Sequence, residues 1–198
     1  MLEAAQDGDY VFYSDAGSLF TGSIDHLVGA MNRAGVDVMS FELPLPEVQW
    51  TNSRTFAVMG CDSDAFRWTN QRNGAFMLFR KTAYATSFVD EFLAWCSDAT
   101  IVTDSSNGDA PHPHFKSHRH DQSIFSLMCK KRGLPAFRDP SDYGVRPRQY
   151  LSAGRFYFEG IPDNSPYPPI ILHFRRANPL SYRAKAIVKN VLGRAIRL

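Results

Sequence analysis

Short, unbroken apolar runs alternate along this chain with segments whose apolar residues recur every three or four positions, and that alternation limits the fold more than any other feature. The runs DYVFYS (9–14), Val36–Leu43, NGAFMLFR (73–80) and PIILHF (169–174) are too short for helices and are bounded by turn residues, which suits buried strands. Between them, Ser23 precedes Ile24, Leu27, Val28 and Met31 at helical spacing, and Gly35 closes that segment. Ser87 is placed to cap a second helix that buries Phe88, Val89, Phe92, Leu93 and Cys96. A third helix, DQSIFSLMCKKRG, opens on Asp121 and closes on Lys130, Lys131, Arg132 and Gly133. Strands and helices in this order predict an α/β fold, a sheet with helices on its faces, and 198 residues suit one domain spanning 1–198.

Three segments read as turns or connections. Pro44 and Pro46 in LPLPEVQW predict a connection, because proline suits neither a helix interior nor a central strand. Asn73-Gly74 reads as a turn leading into its strand. Residues 97–120 turn polar, with Gly108, Pro111, Pro113 and four histidines, and predict a long loop of the kind that is functional or mobile.

Composition removes several classes of function. Twenty-two basic residues against twenty acidic ones leave a net charge of +2, too little to attract nucleic acid. Cys61, Cys96 and Cys129 are odd in number and widely spaced, which suggests neither a disulfide framework nor a cysteine zinc site and points to a reducing compartment. The N-terminus MLEAAQDGDYVFY carries acids where a secretory signal carries positive charge, and no run approaches the roughly 20 apolar residues of a membrane span, so a cytoplasmic location is expected.

Four places hold residues suited to chemistry. Asp15, in the turn Asp15-Ala16-Gly17, ends a buried strand, where open α/β sheets place ligands; it also reads as an ordinary turn residue. In PHPHFKSHRHDQ, His112 with His114, or His118 with His120, can share a face and bind a metal such as zinc, or simply be solvated. Asp121 with Gln122 puts a carboxylate and an amide at a helix N-terminus, where capping explains the aspartate but not the glutamine. His173 sits at a strand end, as a metal ligand or as a satisfied core imidazole.

Taken together, DGDYVFYSDAG, QRNGAFMLFRKT, HRHDQSIFSLM and PIILHFR resemble, in order and rough spacing, a bacterial family of GT-A-type nucleotide-sugar glycosyltransferases. HRHDQSIFS carries most of that resemblance. It implies a GT-A-like mixed sheet flanked by helices, and transfer of a sugar from a nucleotide-sugar donor to a saccharide or lipid-linked glycan acceptor in surface polysaccharide synthesis. It also implies Mn2+ or Mg2+ on the donor diphosphate, held by Asp15 and His173, to neutralise charge on the leaving group. Asp15, Ala16, Gly17, Asn73, Gly74, Arg175 and Arg176 would bind the donor, the two arginines through phosphate oxygens. His120, Asp121 and Gln122 would be the candidate catalytic residues, with His118 a helper.

The chain departs from the family pattern in two ways. Gly17 stands where a D-x-D motif has its second acid, so metal binding would lean on His173 and the phosphates. The acidic strand also starts about nine residues from Met1, where the family places a base-binding β-α unit first; the expectation is an N-terminally incomplete domain. A truncated non-catalytic relic is therefore the alternative, and a zinc-dependent hydrolase built on the histidine run is the other rival. At the C-terminus, residues 180–198 form an expected basic amphipathic helix. Its Arg183, Lys185, Lys189, Arg194 and Arg197 can meet an anionic membrane surface at the inner face, although packing on the sheet is the preferred reading.

Overall fold

The computed structural model describes residues 2–104, 110–145, 167–173, 178, 180–181, 183–185 and 187–188. The long apolar run forms β4 (Asn70–Arg80), flanked antiparallel by β1 (Tyr10–Ser14) and β3 (Val38–Pro46). A short β5 (Ala136–Arg138) adds parallel to β3, giving a mixed sheet of order β1-β4-β3-β5. A separate antiparallel pair joins β2 (Ser18–Phe20) to β6 (Ile171–His173).

Strand periodicity explains why helices cover both faces. Met77 and Phe79 of β4, with Val38 of β3, point to one side, where α3 (Ser53–Val58), α5 (Ala83–Cys96), α6 (Ala99–Val102) and α7 (Asp121–Lys131) bring Phe56, Phe88, Ile101, Ile124, Phe125 and Met128. Phe76 and Leu78, with Met39 and Phe41, point to the other, against Leu27, Ala30 and Met31 of α1 (Asp25–Ala34) and against Tyr167, Ile170 and Ile171. Each large side chain buried this way contributes about 1.5–3 kcal/mol, so β4 anchors both layers. The expectation of an α/β fold with a mixed, helix-flanked sheet holds at this level.

Several local expectations change. Residues 44–50 are not a free connection. Strand β3 continues through Pro44 to Pro46 and runs straight into α2 (Glu47–Trp50). The prolines are tolerated because β5 pairs only with Ser40–Glu42, and the β3–β4 register is irregular between Glu42 and Pro46. Asn73-Gly74 lies inside β4 and makes no turn. Thr82, not Ser87, caps α5, its hydroxyl accepting from the Ala85 N–H at 3.2 Å; Ser87 lies within the helix. Ile24, not Ser23, stands at the N-cap of α1 and supplies no side-chain cap, while Ser23 one residue earlier accepts from the Asp25 N–H at 3.1 Å; Gly35, at φ 65°, closes α1 as expected. The polar segment after α5 contains α6 and packs on the protein, with residues 116–119 running along Gln49 and Trp50 through backbone hydrogen bonds. The remaining short helices are α4 (Asp64–Arg67) and α8 (Asp142–Val145).

Residues 180–181, 183–185 and 187–188 are helical. Ile187 and Val188 of the expected apolar stripe are both 56% exposed, and Val191, Leu192 and Ala195 lie outside the described residues. Lys189, Arg194 and Arg197 lie outside the described residues. No helix among the described residues is long and apolar enough to cross a membrane.

Candidate functional site

The end of β1, the start of β4 and the first turn of α7 converge around Asn73-Gly74-Ala75. The Asp15 N–H donates to the Ala75 carbonyl at 3.0 Å, which fixes the Asp15-Ala16-Gly17 turn at the sheet edge before β2 begins. On the opposite side of this segment, the Gly74 N–H donates to Gln122 Oε1 at 3.3 Å. A Cβ at Gly74 would lie 3.0 Å from the Gln122 Cβ, so the absence of a side chain there is what lets α7 sit so close to β4. The HRHDQSIFS segment and the QRNGAF segment thus pack side by side, and the Arg72 N–H also donates to the Ser126 hydroxyl at 2.7 Å.

Tyr13 is bonded to one acid of this region and feels the charge of the other. Its hydroxyl donates to Asp15 Oδ1 at 3.0 Å. Burial, and then the hydrogen bond and charge of Asp15 and the charge of Asp121, raise the phenol pKa above its ordinary value. Asp121 is exposed and its carboxylate accepts from the Gln122 N–H at 2.9 Å, as an acid in a first helical turn does.

Beneath this surface Asn73 is fully engaged. Its Nδ2 donates to Asp139 Oδ2 at 2.8 Å, and its Oδ1 accepts from the Ala75 N–H at 2.8 Å. Asp139 follows β5 directly and also accepts from the Ser141 N–H at 2.7 Å. Burial raises its pKa, while the bonds from Ser141 and Asn73 and the nearby His173 oppose the rise. His173 pairs with Ser18 across the β2–β6 ladder, its Nδ1 is 3.4 Å from the Ser18 hydroxyl, and its ring packs edge-on to Phe76 with centres 5.4 Å apart. Its own N–H donates to Asp142 Oδ1 at 3.2 Å. Tyr13, Ser18, Asp139 and Asp142 were not singled out from the sequence. Asp139 had a readable signal, since it follows a short apolar strand as Asp15 does.

A buried polar cluster lies behind Gln122. Gln122 Nε2 donates to Gln71 Oε1 at 2.8 Å, and Gln71 Nε2 donates to Glu47 Oε2 at 3.0 Å, with Thr51 Oγ1 at 3.1 Å and Ser123 Oγ at 3.3 Å also in reach. Glu47 is completely buried; it accepts from Thr51 at 2.6 Å, from the Ser126 hydroxyl and from Lys130 Nζ at 2.6 Å. Burial lowers the Lys130 pKa and the Glu47 carboxylate opposes that shift.

The histidines do not converge on these groups. His118 is buried, with Nε2 2.8 Å from the Ile101 carbonyl and Nδ1 accepting from the Asn52 N–H at 3.4 Å. This arrangement fits a neutral ring, and burial lowers its pKa accordingly. His120 lies 2.9 Å from the Val102 carbonyl through Nδ1, on the α6 side, and carries a φ of 50° at the N-cap of α7. His112 and His114 flank a turn in which the Phe115 N–H donates to the His112 carbonyl at 2.8 Å, and both rings pack edge-on against Trp68. Among the described residues, no group of three or more His, Cys, Asp or Glu side chains is gathered closely enough to hold a metal. Arg175 and Arg176 lie outside the described residues. No family model, no curated protein and no solved structure matches this chain.

Proposed function

We propose that this chain is a GT-A-type glycosyltransferase that moves a sugar from a nucleotide-sugar donor to a saccharide or lipid-linked glycan acceptor in surface polysaccharide synthesis. The observation that supports this reading is the convergence of Asp15, Asn73-Gly74 and Asp121-Gln122, drawn from three distant segments, on one end of the sheet. The rim of that region carries an exposed Asp121 and a half-buried Asp15, while its floor is tightly hydrogen-bonded.

In this reading Asp15 is the donor-side carboxylate, steadied by the Tyr13 hydroxyl. Asp15 and His173 supply one carboxylate and one imidazole. In this reading the two would hold a divalent ion whose remaining ligands are donor phosphates, the carboxylate being the oxygen ligand that Mg2+-like ions favour. When bound, such an ion would neutralise charge on the departing diphosphate. Asp121 presents a second carboxylate that can accept a proton from an acceptor hydroxyl. Asn73, Gly74 and Gln122 shape the floor, and the internal bonds of both amides make them parts of a fixed surface.

Calorimetric titration with UDP and GDP, with and without Mn2+, tests the proposal. Metal-dependent binding that disappears in Asp15→Ala is expected. A folded chain that binds neither nucleotide under either condition would overturn the reading and leave a non-catalytic relic.

A further inference from the structure

The amide of Gln122 has two possible orientations, and the surrounding protein selects one of them. Its Nε2 faces Gln71 Oε1 at 2.8 Å and its Oε1 faces the Gly74 N–H at 3.3 Å. Gln71 can offer its oxygen only because its own NH2 is turned the other way, toward Glu47 Oε2 at 3.0 Å. A carboxylate accepts and never donates, so Glu47 fixes the polarity of the row at its buried end, as the Gly74 N–H, a fixed donor, does at the other end, and only the two amides between them can flip. Lys130 Nζ, 2.6 Å from the other oxygen, is a partner suited to keeping Glu47 ionised. Donation therefore runs one way along the row, from the Gly74 N–H to Gln122, from Gln122 to Gln71 and from Gln71 to Glu47, whose other oxygen accepts from Lys130.

We infer that Glu47 is a positioning residue for the candidate site: acting through Gln71, its buried carboxylate sets which way the Gln122 amide faces Gly74. The inference rests on the glycosyltransferase reading only for its functional meaning, since the relay itself exists without a ligand. Glu47 is far along the chain from Gln122 and touches the site through one intermediary. Its Thr51 and Ser126 contacts, both hydroxyls, can reorient and impose no direction.

The test follows the Gln122 side-chain NH2 by 15N NMR in the ligand-free protein, with its hydrogen-exchange rate as the readout. Glu47→Gln keeps the size of the side chain but lets it face Gln71 with either end. The Gln122 NH2 should then exchange at least about fivefold faster, the factor set by one typical hydrogen bond. The Glu47→Gln/Gln71→Glu double variant moves the carboxylate one step along the row, where it accepts directly from Gln122, and should restore slow exchange. Thr51→Val, which removes a hydroxyl but leaves the carboxylate, should leave the exchange rate unchanged. If Glu47→Gln alone does not fold, Glu47→Gln/Lys130→Met removes both charges of the pair and takes its place.

Unchanged Gln122 exchange in the neutral variant, or a double variant no slower than the single one, would overturn the inference. Nucleoside-diphosphate affinity measured on the same proteins separates the two claims. Wild-type protein that binds no nucleotide but shows the relay behaviour refutes the glycosyltransferase reading alone. Nucleotide binding by wild type with no relay behaviour refutes the positioning role alone.

Discussion

Asn73 Nδ2 donates across 2.8 Å to the buried carboxylate of Asp139, and this bond ties the middle of β4 to the chain leaving β5. The same carboxylate holds the Ser141 N–H, so both of its oxygens are used. Asp139→Asn would set its NH2 group against either the Asn73 NH2 or the Ser141 N–H, since an amide has only one oxygen for the two donors. It should cost about 1–3 kcal/mol, the range for leaving a buried polar group unsatisfied, read as a lower urea midpoint with an unchanged slope.

Gly74→Ala tests the fit of α7 against β4. The added methyl would lie 3.0 Å from Gln122 Cβ and 3.3 Å from its Cα, and the backbone atom cannot swing away. Overpacking of this kind costs about 1–3 kcal/mol, so the unfolding midpoint should fall by a corresponding amount. The bond from the backbone N–H at position 74 to Gln122 should lengthen with it, visible as faster exchange of that amide than in wild type.

His118 should make stability depend on pH. Burial depresses its folded pKa below the unfolded value of about 6.5, so the neutral ring contributes stability that is fully present above that value. As pH falls through the unfolded and then the folded pKa, the unfolded chain takes up the proton first and stability is lost. The charged or titrating groups acting on the ring are His120, Asp104 and Glu47. Thermal melts from pH 8 to pH 5 should fall more steeply for wild type than for His118→Gln, which keeps a donor for the Ile101 carbonyl and does not titrate.

Where local periodicity decided the structure, the sequence was readable. The aromatic run 10–14, the apolar run up to Arg80 and the helices closed by Gly35 and Gly133 formed close to where their patterns placed them. Prolines misled at 44 and 46, because their cost depends on whether a neighbouring strand needs the missing N–H, and β5 ends before reaching them. Thr82 and Ser87 both precede apolar helical residues, and only the tertiary course of the chain after Arg80 picks Thr82 as the cap. At the site, Gly74 read as part of a turn and lies within β4, whereas Asp15 and Gln122 were legible as turn and helix-start residues. Glu47 was not, because a glutamate after proline reads as solvated and its burial depends on Gln71, Ser126 and Lys130 arriving from other segments.

His120 is the only non-glycine among the described residues with a positive φ, at 50°, and it directly precedes Asp121 and Gln122. A backbone held there costs on the order of 1–3 kcal/mol and persists because the imidazole is fastened to Val102 and the helix is fastened to β4. The first turn of α7 is thus spring-loaded between two clasps. A glycine at position 120 would relax the spring and undo one clasp at once, so its net effect on folding would be the small difference between two opposing terms, while the freedom of the helix start would rise on both counts.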